Sequence, residues 1–197
     1  MATMRRSTGE NLLAWIRNAV LALALTGLCG AAAADRPAQW AQPIDARGVP
    51  DMYQITPFLF RSARPTAEGM GVMDELGIRT VIDLCGYQND RKLLAGTHLQ
   101  QVRIPIDPRE IGDAEMVAVL RKLKRVKDGP FLIHCRRGAD QTALVAAMYR
   151  IVVEGWDKDA AVDEMLHGGF DRQGVRKSIV SYIRHADVTR MRSQVDK

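Results

Sequence analysis

The stretch Pro130–Met148, PFLIHCRRGADQTALVAAM, constrains the fold more than any other part of the chain. A β-branched and aromatic run ends on His134 and Cys135, a glycine-containing loop follows, and a long apolar helical pattern begins almost at once. This is the order strand, short loop, helix N-terminus, with a thiol at the mouth of the loop. Backbone N–H groups converge in such a loop, and the helix dipole adds roughly half a positive charge at the same point, so an anion is favoured there. A cysteine in that field is expected to have a depressed pKa and to act as a nucleophile.

The remainder of the chain alternates in the same manner. Tyr53–Phe60 is rich in aromatics and alternates, which predicts a first strand or hairpin. The spacing of Met70, Met73 and Leu76 predicts a helix over Thr66–Leu76 that stops at Gly77. Ile78–Leu84 and Val102–Ile106 are compact strand runs, and Asp113–Val126 reads as a helix with Asp113 as its N-cap. Thr142–Val153, Asp157–Leu166 and Val175–Arg184 are predicted as three further helices, the first two separated by Gly155. Such alternation implies an α/β chain with a mostly parallel central sheet and helices on both faces. The binding crevice of such a sheet lies beyond the carboxyl ends of its strands, and Cys135 stands at one of them.

The first 34 residues differ in kind. Arg5, Arg6 and Arg17 precede an apolar run from Ala19 to Leu28, and Ala31–Ala34 offer small residues for cleavage. This is the pattern of a signal peptide, too short for a retained span, so the expectation is a periplasmic protein without stable membrane insertion after cleavage. Residues 35–50, with Pro37, Pro43, Gly48 and Pro50, read as a linker, 51–188 as one folded domain and 189–197 as a tail. Loss of three arginines and Glu10 with the leader takes the formal charge from +5 to +3, a mild basic balance that fits an anionic substrate. No basic stripe is interleaved with aromatics, so nucleic acid is not an expected partner, and Arg121–Lys127 reads as a solvated helix face.

The loop resembles the signature of the cysteine-dependent protein tyrosine and dual-specificity phosphatases: His-Cys, two residues, Gly, two residues, Arg, then Ser or Thr. His134, Cys135, Gly138 and Thr142 match that signature, whereas Gln141 stands where the family has its arginine and Ala143 where it usually has glycine. The segments Phe60–Pro65 (FRSARP) and Ala146–Phe170 are similar to periplasmic bacterial members of the family. The resemblance implies a single-domain protein tyrosine phosphatase-like fold and no metal or cofactor. It also implies attack by Cys135 on a phosphomonoester, with Thr142 supporting the thiolate and the departing thiol. Arg136, Arg137, Gly138, Ala139, Asp140 and Gln141 would surround the phosphate, and the substrate would be a phosphorylated protein, for an exported member the periplasmic part of a membrane signalling protein.

An acid for the leaving group must come from another segment. Asp107, in VRIPIDPRE, ends a strand expected to neighbour that of Cys135 and is the leading candidate, although Asp-Pro is also a common turn dipeptide. Asp113 is the second candidate, and Asp140 is expected to shape the loop instead. Cys85 ends a strand much as Cys135 does, so it is either a small buried residue or a redox partner. Reversible disulfides of this kind occur in some phosphatases of the superfamily. Gln141 cannot supply a charged bidentate grip, which leaves open a weak or inactive pseudophosphatase that binds phosphorylated or acidic partners, or a redox-responsive binding module.

Overall fold

The computed structural model describes residues 36–87, 89–170 and 175–197; the predicted signal peptide lies outside them. Six strands form one sheet: β1 (Gln42–Pro43), β2 (Tyr53–Thr56), β3 (Leu59–Ser62), β4 (Thr80–Asp83), β5 (Gln100–Arg103) and β6 (Phe131–His134), in the order β1-β2-β3-β6-β4-β5. The first three pair antiparallel, and β3, β6, β4 and β5 run parallel. The described helices are α1 (Ala67–Glu75), α2 (Asp113–Lys124), α3 (Asp140–Val152), α4 (Lys158–His167), α5 (Lys177–His185) and α6 (Val188–Val195). None of them is long and apolar enough to cross a membrane.

The central strands β4 and β6 are buried at every position, with Val81, Ile82, Phe131, Leu132 and Ile133 as their apolar centres and Thr80, Asp83 and His134 as buried polar ends. Side chains alternate across the sheet. Val81 and Leu132 pack with Met70 and Met73 of α1 on one face, while Ile82, Phe131 and Ile133 meet Leu120, Leu144 and Met148 on the other. This is the α/β architecture expected, with helices on both faces.

Four local readings change. Residues 36–50, read as a linker, are fastened to the domain: Ala41 is buried, its N–H donates to Glu164 Oε1 at 2.6 Å, and Arg36 donates to Ala41 O and Gly168 O. The Pro and Gly residues there serve fixed turns, and Gly48 lies so close to Gly69 of α1 that neither has room for a Cβ. Residues 189–197, read as a tail, fall largely in α6, where Asp187 caps the helix and Met191 and Val195 enter the core. Strand β5 begins two residues earlier than predicted, because its ladder to β4 starts at Thr80–Gln100 and leaves Ile104 and Ile106 beyond the strand. Gly112, not Asp113, is the N-cap of α2; Asp113 occupies the first turn and accepts a hydrogen bond from the Tyr182 hydroxyl.

A buried ionic network joins the loops at the carboxyl ends of the parallel strands. Asp90 is fully buried in the loop after β4; its Oδ1 accepts from Arg64 Nε at 2.7 Å, and its Oδ2 lies 2.9 Å from His134 Nε2. Arg64 also donates its backbone N–H to Arg136 O, in the loop that follows Cys135. Burial disfavours the Asp90 carboxylate, but contact with His134 and Arg64 outweighs burial and holds the group below the ordinary carboxylate range. A depressed folded-state value stabilises the fold above the unfolded pKa of about 3.9, and that stabilisation is lost as pH falls through the folded value. Urea unfolding followed from about pH 7 down to about pH 3 is expected to show a smaller acid-induced loss of stability in Asp90→Asn than in the unmodified protein; an unchanged acid limb refutes this role for Asp90.

Candidate active site

Strand β6 delivers Cys135 between two neighbours of matched length. Ser62 of β3 and Asp83 of β4 both stand opposite His134, so three chain segments leave the sheet at one level. Residues 135–139 turn back over this edge and enter α3 at Asp140. Gly138 has φ +75°, and a Cβ there would lie 2.9–3.0 Å from Ala63 N and the Ser62 carbonyl; the close approach to β3 as well as the backbone angle calls for glycine.

Cys135 is 1% exposed and its thiol is free. Arg136 and Arg137 are exposed, whereas Gly138, Ala139 and Asp140 are buried and Gln141 is half-buried. Asp140 receives the backbone N–H and Nε of Arg176, at 3.3 and 3.0 Å, and lies 3.5 Å from Arg137 Nη2. Its carboxylate therefore braces the loop against the entry to α5. Thr142 is fully buried on the first turn of α3, and its hydroxyl forms no hydrogen bond among the described residues. Sequence and structure thus place a thiol, a free hydroxyl and a helix N-terminus in one enclosed loop.

Asp107 lies beyond β5 in a tight turn bridged to Glu110, half exposed. Its Oδ1 accepts from the backbone N–H of Arg109 at 2.9 Å, and this bond, with the charges of Arg109 and Arg176, holds its carboxyl below the ordinary range. The turn is docked onto α5 through Ser178 Oγ, which donates to Pro108 O. Arg109, Asp107, Arg176, Asp140 and Arg137 consequently form a series of alternating charges across adjoining loops. Asp113 is turned toward Tyr182 and away from such a role.

Cys85 follows β4 as Cys135 follows β6, and both thiols are buried and free. Burial, together with the charges of Asp83 and Cys135, pushes the Cys85 thiol up to about 12, so it stays protonated near neutral pH. Asp83, Asp90 and His134 bring three metal-type ligand atoms within 4.8 Å of one another. Asp83 already faces Arg103 at 3.3 Å and Asp90 faces Arg64, so the two carboxylates are matched by two guanidiniums and the cluster is an ion-pair network.

Three contributors escaped the sequence analysis. Arg64 and Asp90 lie far apart in the chain and acquire meaning only by contact. Arg61 is 2% exposed beneath the loop and donates from Nη2 to Gly138 O at 2.7 Å. A charged residue amid the apolar run of LFRS was the available signal for it.

Residues 43–182 match the family described as "DSP-PTPase phosphatase fused to NAD+ Kinase". The chain is similar to the dual specificity protein phosphatase TpbA of Pseudomonas aeruginosa, with 37% identity over 187 residues, or 91% of this chain and 84% of that protein. The crystal structure of P. aeruginosa TpbA agrees with a TM-score of 0.75 at 38% identity, covering 83% of this chain and 100% of that one. A cysteine-to-serine form of TpbA in complex with phosphotyrosine gives the same TM-score at 36% identity, with 83% and 99% covered. With most of its length matched in both sequence and fold, the chain belongs to the dual-specificity and tyrosine protein phosphatase family.

Proposed function

We propose that the protein is an exported, cysteine-dependent phosphatase that hydrolyses phosphomonoesters on a phosphorylated protein, the periplasmic part of a membrane signalling protein. The observation that carries this reading is Cys135 enclosed by a loop that Gly138 bends against β3 and that opens into the N-terminus of α3. The phosphate oxygens accept from backbone N–H groups of residues 136–141, and Arg136 and Arg137 add positive potential. The Cys135 thiolate attacks phosphorus, the S–P bond forms and the bond to the ester oxygen breaks. Asp107 gives its proton to that oxygen. Water then attacks phosphorus, Asp107 takes a proton from it, the S–P bond breaks with Thr142 Oγ1 donating to the departing thiolate, and orthophosphate leaves.

In the free protein Arg109 keeps Asp107 ionised. A bound phosphate dianion supplies the like charge that favours the protonated acid. Kinship with TpbA favours turnover over the binding-only reading, and Gln141 then sets the level of activity. In an oxidising compartment a Cys85–Cys135 disulfide would protect and silence the nucleophile.

Cys135→Ser is expected to abolish hydrolysis of aryl phosphates, because a hydroxyl in this loop is not appreciably ionised near neutrality. Asp107→Asn is expected to slow phosphotyrosine far more than an ester with an activated leaving group, and to remove the fall in kcat/KM with rising pH that a depressed acid places below neutrality. Equal losses on both substrates would move the acid role elsewhere. Gln141→Arg should raise turnover by on the order of 10²-fold, the size of a charge-assisted contact in a preorganised anion site; an unmodified protein that already turns over as fast as the variant refutes a limiting role for Gln141. Expressed with its leader, the chain should be recovered from the periplasm with its N-terminus near Asp35, and recovery of an intact Met1-bearing chain from the cytoplasm contradicts export.

A further inference from the structure

Arg61 is a buried cation, 2% exposed, with no carboxylate ion pair among the described residues. Its neighbour Leu59 stands opposite Phe131 and Arg61 opposite Ile133, so by alternation Leu59, Arg61, Phe131, Ile133 and Cys135 share one face of the sheet. Cys135 follows the last residue of β6, two positions beyond the Ile133 that pairs with Arg61, and the two groups interact electrostatically. The guanidinium carbon lies over the Phe170 ring, 3.7 Å from its centroid, and Nη2 donates to Gly138 O, in the middle of the loop around the thiol. The charged groups that face it are Cys135 from β6, Glu164 from α4, Tyr53 from β2 and Arg36 from the N-terminal segment. Glu164 is already committed: its two oxygens accept from Arg150 Nη2 and Nε, each at 2.9 Å, and Oε1 also accepts from Ala41 N–H.

We propose that Arg61 is the positioning residue that balances the Cys135 thiolate from beneath the loop, supplying the fixed positive charge that Gln141 cannot. The chemistry favours this assignment. A guanidinium taken out of water is tolerated only with compensation; the Gly138 carbonyl and the Phe170 ring face supply dipoles, and Glu164, shared with Arg150, acts on Arg61 less strongly than Cys135 does. Burial pulls the Arg61 pKa down to about 10, with a Cys135 thiolate the largest influence in the opposite direction, so Arg61 remains cationic at neutral pH. Cys85, whose thiol interacts with Cys135, stays a neutral thiol there and adds no competing charge. Arg61 would thus both hold Gly138 in register with β3 and keep the nucleophile ionised, without touching substrate.

This inference rests on Cys135 as the nucleophile, and its test reads the thiol directly. Iodoacetamide alkylation of Cys135 is followed against pH by peptide mass spectrometry, which separates it from Cys85, in the unmodified chain, Arg61→Lys and Arg61→Met. The midpoint is expected to move upward by at least about one pH unit in Arg61→Met, the size of losing a close opposite charge, and to stay near its original value in Arg61→Lys. If Arg61→Met does not fold, Arg61→Gln, which retains a donor for Gly138 O, takes its place with the same expectation. A folded neutral variant with an unchanged midpoint overturns the proposal, as does an Arg61→Lys midpoint displaced as far as that of the neutral variant. Failure of the phosphatase reading would look different: no turnover by the unmodified protein, with the alkylation shift intact.

Discussion

The hydrogen-bonded ladder that seats β6 between β3 and β4 is the constraint on which the rest depends. It aligns Ser62, His134 and Asp83 at one level, so the segments that follow three separate strands turn over the same edge. One of them carries Cys135, another Cys85, and the third brings Ala63 and Arg64 against the loop. A slip of one residue in β6 would exchange the faces of Leu132 and Ile133 and turn Cys135 away from the face it shares with Arg61. The burial of all four residues in both β4 and β6 makes such a slip costly.

Charges inside this protein are arranged rather than excluded. Arg150 meets Glu164 and Glu154 and lies 4.3 Å from the Trp156 ring centroid, and through Glu164 it reaches the backbone of Ala41. Arg64 and Arg103 match Asp90 and Asp83 at the ends of the strands. Each ion removed from water carries a desolvation penalty of several kcal/mol, so such groups persist only where geometry returns most of it. These pairs join segments remote in sequence, and they explain why the N-terminal stretch from Arg36 is integral to the domain. Arg61 differs from the others in that the Cys135 thiol acts on it more strongly than any carboxylate does.

The mouth of the loop has a different electrostatic character. Arg109, Asp107, Arg176, Asp140 and Arg137 alternate in sign across loops that adjoin one another, and their cations outnumber their anions. Opposite charges within that series hold the side chains in place, and the excess of cations suits a phosphate. Gln141 removes a guanidinium from the loop itself, while neighbouring segments retain several.

Local signals settled much of this protein in advance. The abrupt passage from Phe131–His134 through Gly138 to an apolar helix specified the strand, the loop and the thiol, because each depends on residues adjacent in the chain. Thr66 is the N-cap of α1 and Asp157 that of α4, for the same local reason. The fastening of residues 36–50 escaped such signals, since Ala41 is held by Glu164, more than 120 positions away. Helix α6 offers only Met191 and Val195 as apolar anchors, a pattern too brief to stand out until α2 and α3 provide a surface for it. Likewise, the sequence alone determined that Arg61 is a cation in an apolar strand; only the pairing of β3 with β6 decided that it faces Cys135, because a side chain's electrostatic partner is set by distance in space and not by separation along the chain.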